Sequence, residues 1–250
     1  MLVTNAFLLR LMEAGDLGDQ ELSALDDLCR SSRDVAAKKY LWREGDEMAA
    51  FPVILSGWAA RYQILRNGAR QITRLLLPGD AFYFEGSPDG FAVEEVITLS
   101  PCRIATIQRG DMRRLIERFP AVGEALRNYG CMENAVLSSW VVNVGRRDAL
   151  ERMAHLICET HFRLSQVDPQ LGQQMPFPLT QDDLADVLGL TPVHINRKLQ
   201  QLRQDGLIVL RSKQLTIHDL RSLQQIAGFD SAYLAPRRQV PRQRPNAAAA

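Results

Sequence analysis

The alternation of apolar and polar positions changes character twice along the chain. Between Asp16 and Cys29, Leu17, Leu22, Leu25 and Leu28 predict short helices. From Lys39 to Gln108 the texture is that of strands. The runs "FPVIL", "AARYQIL", "RQITRLLL", "EEVITL" and "CRIATIQ" are separated by turn signals around Gly45, Gly57, Gly68, Gly79 and Gly90. Many short strands at regular spacing imply a β-sandwich or a barrel-like roll. "RNG" between two such runs is a hairpin turn, because asparagine and glycine tolerate positive φ.

The helical period returns after Asp111, read as a helix cap. Pro120 opens a long helix running to about Val144, with Val122, Leu126, Tyr129, Met132, Val136 and Trp140 as an apolar stripe. That stripe either packs against the chain's own roll or forms a subunit interface. The interface is preferred, since a helix this long between two domains has little else to cover it. "NVGRRD" reads as a hinge, followed by a helix from about Ala149 to Arg163, and "DPQLGQQMPFPL" as a loop.

The next segment has the clearest grammar. Thr180 with Asp183 has the pattern of a capping box, in which side chains satisfy the free amides of a helix start. Leu184, Ala185 and Leu188 give that helix a buried face, and Gly189 ends it. Thr191 caps a second helix and Pro192 takes its first position, where a missing N–H costs nothing. Ile195, Leu199 and Leu202 form its core stripe, Gly206 stops it, and "LIVLRSKQLTI" is a hairpin turning at Ser212 and Lys213. Helix, tight turn, helix, hairpin is the order of a winged helix-turn-helix.

If Ile195, Leu199 and Leu202 face inward, Val193, Arg197 and Gln200 lie roughly opposite, with His194 and Gln201 beside them and Asn196 and Lys198 at the margins. Such a helix enters the DNA major groove with its N-terminal residues at base edges. Arg197 suits guanine, whose O6 and N7 accept its two donors, and Val193 suits a thymine methyl. His194 reaches a base or a phosphate. Thr180, Gln181, Thr191, Asn196, Lys198, Gln201, Ser212 and Lys213 are assigned to phosphates or flanking positions, which orient the protein without specifying sequence.

Charge supports this in outline. The net charge of +1 hides 16 Lys/Arg against 19 Asp/Glu in residues 1–144 and 14 against 10 in residues 145–250. A basic C-terminal half fits a polyanionic partner. Cys29, Cys102, Cys131 and Cys158 lie far apart, which argues against a disulfide framework or a zinc site. "MLVTNAFLLRLMEAGD" lacks a basic start and is interrupted by Arg10 and Glu13, so it is a poor signal peptide; the longest uncharged run in the helical middle, Asn134 to Gly145, is too short to span a bilayer. The chain is read as cytoplasmic, with no membrane partner. It carries no phosphate loop, G-x-S-x-G or H-E-x-x-H motif, and is not expected to be an enzyme.

Over nearly its whole length the sequence resembles the Crp/Fnr superfamily, that of the cyclic-AMP receptor protein and the fumarate–nitrate regulator. "SGWAARYQILRNGARQITRLLLPGDAF" is similar to the family's β-roll, "NVGRRDALERMAHLICE" to its hinge and first DNA-domain helix, and "LTQDDLADVLGLTPVHINRKLQQLRQDGLI" to its helix-turn-helix. The resemblance implies an α+β fold. A cyclic-nucleotide-binding-like β-roll with N-terminal helices would occupy residues 1–118, a dimerisation helix 119–144 and a winged helix-turn-helix 145–234. Residues 235–250, with Arg237, Arg238, Arg242 and Arg244, are read as a disordered basic tail. It also implies a bacterial homodimeric regulator of transcription on double-stranded palindromic DNA, touching RNA polymerase if it activates.

The departures concern the signal. In the cyclic-AMP-binding members a Gly-Glu pair after the Gly-Asp of the roll grips the ribose; here Gly79-Asp80 is followed by Ala81, Phe82, Tyr83 and Phe84. The Arg-Ser pair that holds the cyclic phosphate falls at Ala92 and Val93. A phosphate lacking a cation or hydroxyl partner is poorly held, so no cyclic-AMP binding of the family kind is expected. Cys29 stands alone in the first hundred residues, against four-cysteine ligation of an iron–sulfur cluster, and no histidine precedes His155. No cofactor is predicted. Phe82, Tyr83, Phe84 and Phe91 either line an apolar effector pocket or belong to the core. Arg197 matches the family's guanine-reading arginine, while Val193 replaces a glutamate of many relatives. The competing reading is a cyclic-nucleotide-like sensory module that regulates a partner protein; it would have no use for Arg197 or the wing.

Overall fold

The computed structural model describes residues 5–82 and 90–234. Tyr83 and Phe84, and the tail from 235, lie outside them. Two helices open the described chain: α1 (Ala6–Ala14), whose Phe7 amide is met by the Asn5 side chain, and α2 (Asp19–Cys29). Seven strands follow: β1 (Ser32–Val35), β2 (Tyr40–Trp42), β3 (Ala50–Ser56), β4 (Ala59–Ile64), β5 (Arg70–Leu76), β6 (Glu95–Thr98) and β7 (Cys102–Gln108). They form two antiparallel sheets, ordered β1-β7-β3 and β2-β6-β4-β5.

Residues alternate between the faces of each strand, as the pleat requires. Ile54, Leu76, Val96, Cys102 and Ile104 point between the sheets and form the roll's own core. Phe51, Val53, Ala105 and Ile107 point outward from the first sheet, under α1, α2, α3 (Arg109–Arg118) and α4 (Pro120–Arg146). Asp111 is not the cap of α3. The helix begins two residues earlier, and Asp111 sits in its first turn, paired with Arg114.

The helical stripe on α4 has a different partner from the one expected. Val122, Leu126, Tyr129 and Val136 are 0–3% exposed within the single chain. The first three are packed against α1 and the outer face of β3 and β7, together with Met132. The Tyr129 hydroxyl accepts from the Ala81 amide at 3.1 Å. Trp140 turns to the C-terminal unit and donates Nε1–H to Glu159 at 3.0 Å. Four of the six positions assigned to a subunit interface are thus already dry, three of them under the roll and its N-terminal helices, a cover that sequence spacing could not reveal. The opposite face is exposed: Glu124, Arg127, Cys131, Asn134, Ser138, Val141 and Gly145 recur at alternating steps of three and four, with Leu137 and Val142 alongside.

Helix α5 (Ala149–Ser165) starts at a capping box formed by Asp148 and Glu151. The C-terminal unit then contains β8 (Gln174–Pro176), α6 (Gln181–Leu188), α7 (Pro192–Gln204), β9 (Ile208–Arg211), β10 (Gln214–Ile217) and α8 (Leu220–Ala227), closed by a short 3-10 turn at Ser231–Tyr233. Strand β8 lies inside the segment read as a loop. Met175 is fully buried there and the strand completes a sheet ordered β8-β10-β9.

The two halves share one core. Trp58, Ala60, Tyr62, Ile72, Leu75 and Leu77, on the outer side of the second sheet, join the cluster holding Met153, Ile157, Phe177, Leu184, Ile195 and Leu202. A buried ionic knot lies beside it: Arg163 pairs with Asp80 and Glu159 and donates to the Leu75 carbonyl at 3.3 Å, Arg10 donates to the Arg163 carbonyl at 2.9 Å, and Arg74 pairs with Glu133. Burial works against the charged form of Arg163, but Asp80 and Glu159 outweigh it and raise its pKa. Among the described residues no helix is long and apolar enough to cross a membrane, and no group of acidic, histidine or cysteine side chains is placed to hold a metal ion.

Candidate nucleic-acid interface

The local grammar of the two-helix motif builds as its residues dictate. Thr180 Oγ1 accepts the Asp183 amide at 3.1 Å while Asp183 Oδ2 accepts the Thr180 amide at 3.0 Å, so two orphan donors of α6 are met reciprocally. Gly189 ends α6 at φ 63°, ψ 41°, the left-handed conformation that glycine adopts without penalty. Thr191 Oγ1 accepts the His194 amide at 3.3 Å and Pro192 takes the first position of α7. Ile195, Leu199 and Leu202 are 0–2% exposed and fasten α7 to the shared core.

What remains outward on α7 is the set the sequence assigns to bases. Val193 is 61% exposed, and His194, Asn196, Arg197 and Gln200 are exposed beside it. The exposed valine lies one turn from Arg197, which has no ion pair or hydrogen bond to a described residue. Lys198 and Gln201 are half-buried at the margin and bond each other at 3.2 Å. Thr180 and Gln181 are exposed at the amide-rich start of α6, and Thr191 at that of α7. Both ends favour an anion, through free N–H groups and the aligned peptide dipoles.

The β9–β10 hairpin carries Ser212 and Lys213 at its tip, both exposed and both at positive φ, 49° and 61°. This is the geometry of a type I′ turn, which asparagine and glycine adopt easily and lysine does not. Holding the backbone here costs of order 1–2 kcal/mol per residue. Arg211, exposed next to the tip, adds a charge that the sequence reading missed; its adjacency to the turn was the available signal. Also missed were Arg152, whose Nη1 donates to the Leu188 carbonyl at 3.0 Å under the turn, and Arg70, reaching across from the roll.

Of the aromatic set of the roll, Phe82 and Phe91 are among the described residues, and they differ in burial. Phe82 is 3% exposed and stands edge-on to Trp42 at 5.9 Å, inside the core, whereas Phe91 is 46% exposed. Between the sheets, Arg61 Nε pairs with Glu94 Oε2 at 2.9 Å and Thr73 Oγ1 donates to Glu94 Oε1 at 2.6 Å. Ala92, at the position of the family's phosphate-holding arginine, is a buried methyl side chain.

Two family models match the chain: a cyclic nucleotide-binding domain over residues 32–119 and a Crp-like helix-turn-helix domain over residues 151–226. The transcriptional activator protein FnrL of Cereibacter sphaeroides is 28% identical over 217 residues, covering 85% of this chain and 86% of FnrL. The fumarate and nitrate reduction regulatory protein of Escherichia coli is 25% identical, over 85% of this chain and 84% of its own length. Among solved structures, FixK2 of Bradyrhizobium japonicum superposes with a TM-score of 0.71 at 20% identity, covering 80% of this chain and 98% of FixK2, which shows the same fold.

Proposed function

Because the chain belongs to the Crp/Fnr superfamily of DNA-binding transcription regulators, we propose that it acts as a homodimer on palindromic operators, reading each half-site with Val193, His194 and Arg197. The observation that carries this reading is the exposed Arg197, without an ion pair or hydrogen bond among the described residues, beside Val193 on a helix whose opposite side is dry. Arg197 takes a guanine, Val193 a thymine methyl, and His194 a base edge or phosphate. Thr180, Gln181, Thr191, Asn196, Lys198, Gln201, Ser212, Lys213 and Arg211 serve the backbone and flanks.

Two copies pair through the exposed face of α4, along Cys131, Asn134, Ser138 and Val141 with Leu137 and Val142 beside them. Its steps of three and four match the seam of a two-stranded coiled coil. The two α7 helices then enter successive major grooves about 34–36 Å apart. Activation would engage RNA polymerase, a reading that the activator FnrL supports. The site of action is the cytoplasm, where the DNA is.

The roll does not take cyclic AMP in the family manner. Ala92 and Val93 offer the cyclic phosphate neither a cation nor a hydroxyl, and Arg61 and Thr73 are both turned to Glu94. A signal, if one exists, must bind one arrangement of the two halves better than another, since equal affinity shifts nothing. Selecting bound fragments from a genomic library tests the whole reading. A recurring palindrome whose retention on a gel is lost with Arg197→Ala supports it, and no enrichment over random duplex at low salt refutes it.

A further inference from the structure

The motif that meets DNA is gripped by two consecutive residues of the roll. Arg70 and Gln71 open β5. Arg70 Nε donates to Asp186 Oδ2 at 2.6 Å and Nη2 to Asp183 Oδ1 at 2.8 Å. One planar guanidinium thus bridges two carboxylates a helical turn apart on α6, a geometry lysine cannot reproduce. Gln71 Nε2 donates to the Asp186 carbonyl at 2.7 Å and the Val187 carbonyl at 3.4 Å, in the last turn of the same helix. Its Oε1 is 4.0 Å from where a Cβ on Gly189 would stand, which places this side chain beside the turn between α6 and α7.

Beneath these bonds Tyr62 and Ile72 meet the helices through apolar contact. Such contact is non-directional and holds two surfaces together without fixing how they are rotated. Hydrogen bonds to a fork and to named carbonyls do fix it. Asp183 also belongs to the cap of α6, so the roll is fastened to the end from which the motif's geometry is set.

We propose that Arg70 and Gln71 are positioning residues for operator recognition: they set the bearing of α7 relative to the roll and the long helix, and so the half-site spacing the protein accepts. This rests on the dimeric reading above.

The test uses the full-length protein, one isolated half-site duplex, and palindromes whose half-sites are moved apart or together in single base-pair steps. Arg70→Gln combined with Gln71→Ala should leave half-site affinity within about twofold of the parent. Affinity for the best palindrome should fall about tenfold and the spacing preference should flatten. Asp186→Asn, altering the other side of the grip, should give the same flattening, and combining it with Arg70→Gln should add little. In the free protein, amides of α6 should exchange faster with solvent in each variant. An unchanged spacing profile, equal losses on half-site and palindrome, or unchanged exchange in α6 each overturns the proposal. A parent protein with no spacing preference overturns the dimeric reading instead, and the exchange measurement still judges the grip.

Discussion

Arg197 is exposed on a fixed helix and bonds no other described residue, so its removal should be felt in specificity before stability. Arg197→Ala should cost specific binding about 1–3 kcal/mol, roughly ten- to a hundredfold, and relax preference at one base pair per half-site, as a gel shift with permuted operators would show. Lys213 makes the opposite kind of case. Relieving its positive φ with Lys213→Gly should stabilise the fold by about 1 kcal/mol in urea while lowering the salt dependence of DNA binding by about one phosphate contact. His155 is a third. It is 1% exposed, faces Tyr233 and Ser139, and burial pushes its pKa down to about 4 against the pull of Glu159, with Arg147 adding to the fall. The unfolded chain takes up a proton below about pH 6.5 that the native one refuses, so stability is complete above that value and falls toward pH 4, by about 2 kcal/mol at pH 5. Denaturant melts at pH 7.5 and 5 should show this slope, and His155→Gln should flatten it. Arg197 and Lys213 were legible in sequence because a helical face and a hairpin tip are local geometry. Arg70 was not: its partners are 113 and 116 residues away, and no spacing rule spans such a gap.

The helices and turns of the C-terminal motif were legible for the same reason, since caps act within a few residues. Gly189 shows how tight that grammar is. A Cβ there would meet Val144 Cγ1 at 3.3 Å at φ 63°, so Gly189→Ala should destabilise by at least about 1 kcal/mol in thermal melts. For α4 the period was right and the partner wrong. A stripe every three or four residues says that something covers a helix, not what covers it, and the roll does. Substitutions separate the two faces. Leu126→Asp should unfold the chain, whereas Val141→Asp should leave it folded and dissociate the dimer in sedimentation experiments. Strand β8 escaped notice because three residues carry too little pattern, and its buried Met175 is explained only by β10 alongside.

At the scale of the molecule, the two halves resemble a sensory part and a reading part joined by a helix, and the sequence divides that way. The interior does not. Trp58 lies 5.9 Å from Phe177, edge to face, across the line between them. One consequence is cooperativity: heating should give a single calorimetric transition rather than two. Another is the cost of opening the ionic knot, where Asp80→Ala leaves Arg163 with Glu159 as its one remaining carboxylate in the knot and takes the ion pair from Arg10, and should cost about 3 kcal/mol.

That common interior also bears on heredity. A sheet serving as floor to the reader is not free to drift, because a changed methyl at Ala60 or Ile72 tilts what stands on it. Lesions that alter promoter choice in a genetic screen should therefore surface in strands that never approach a base pair.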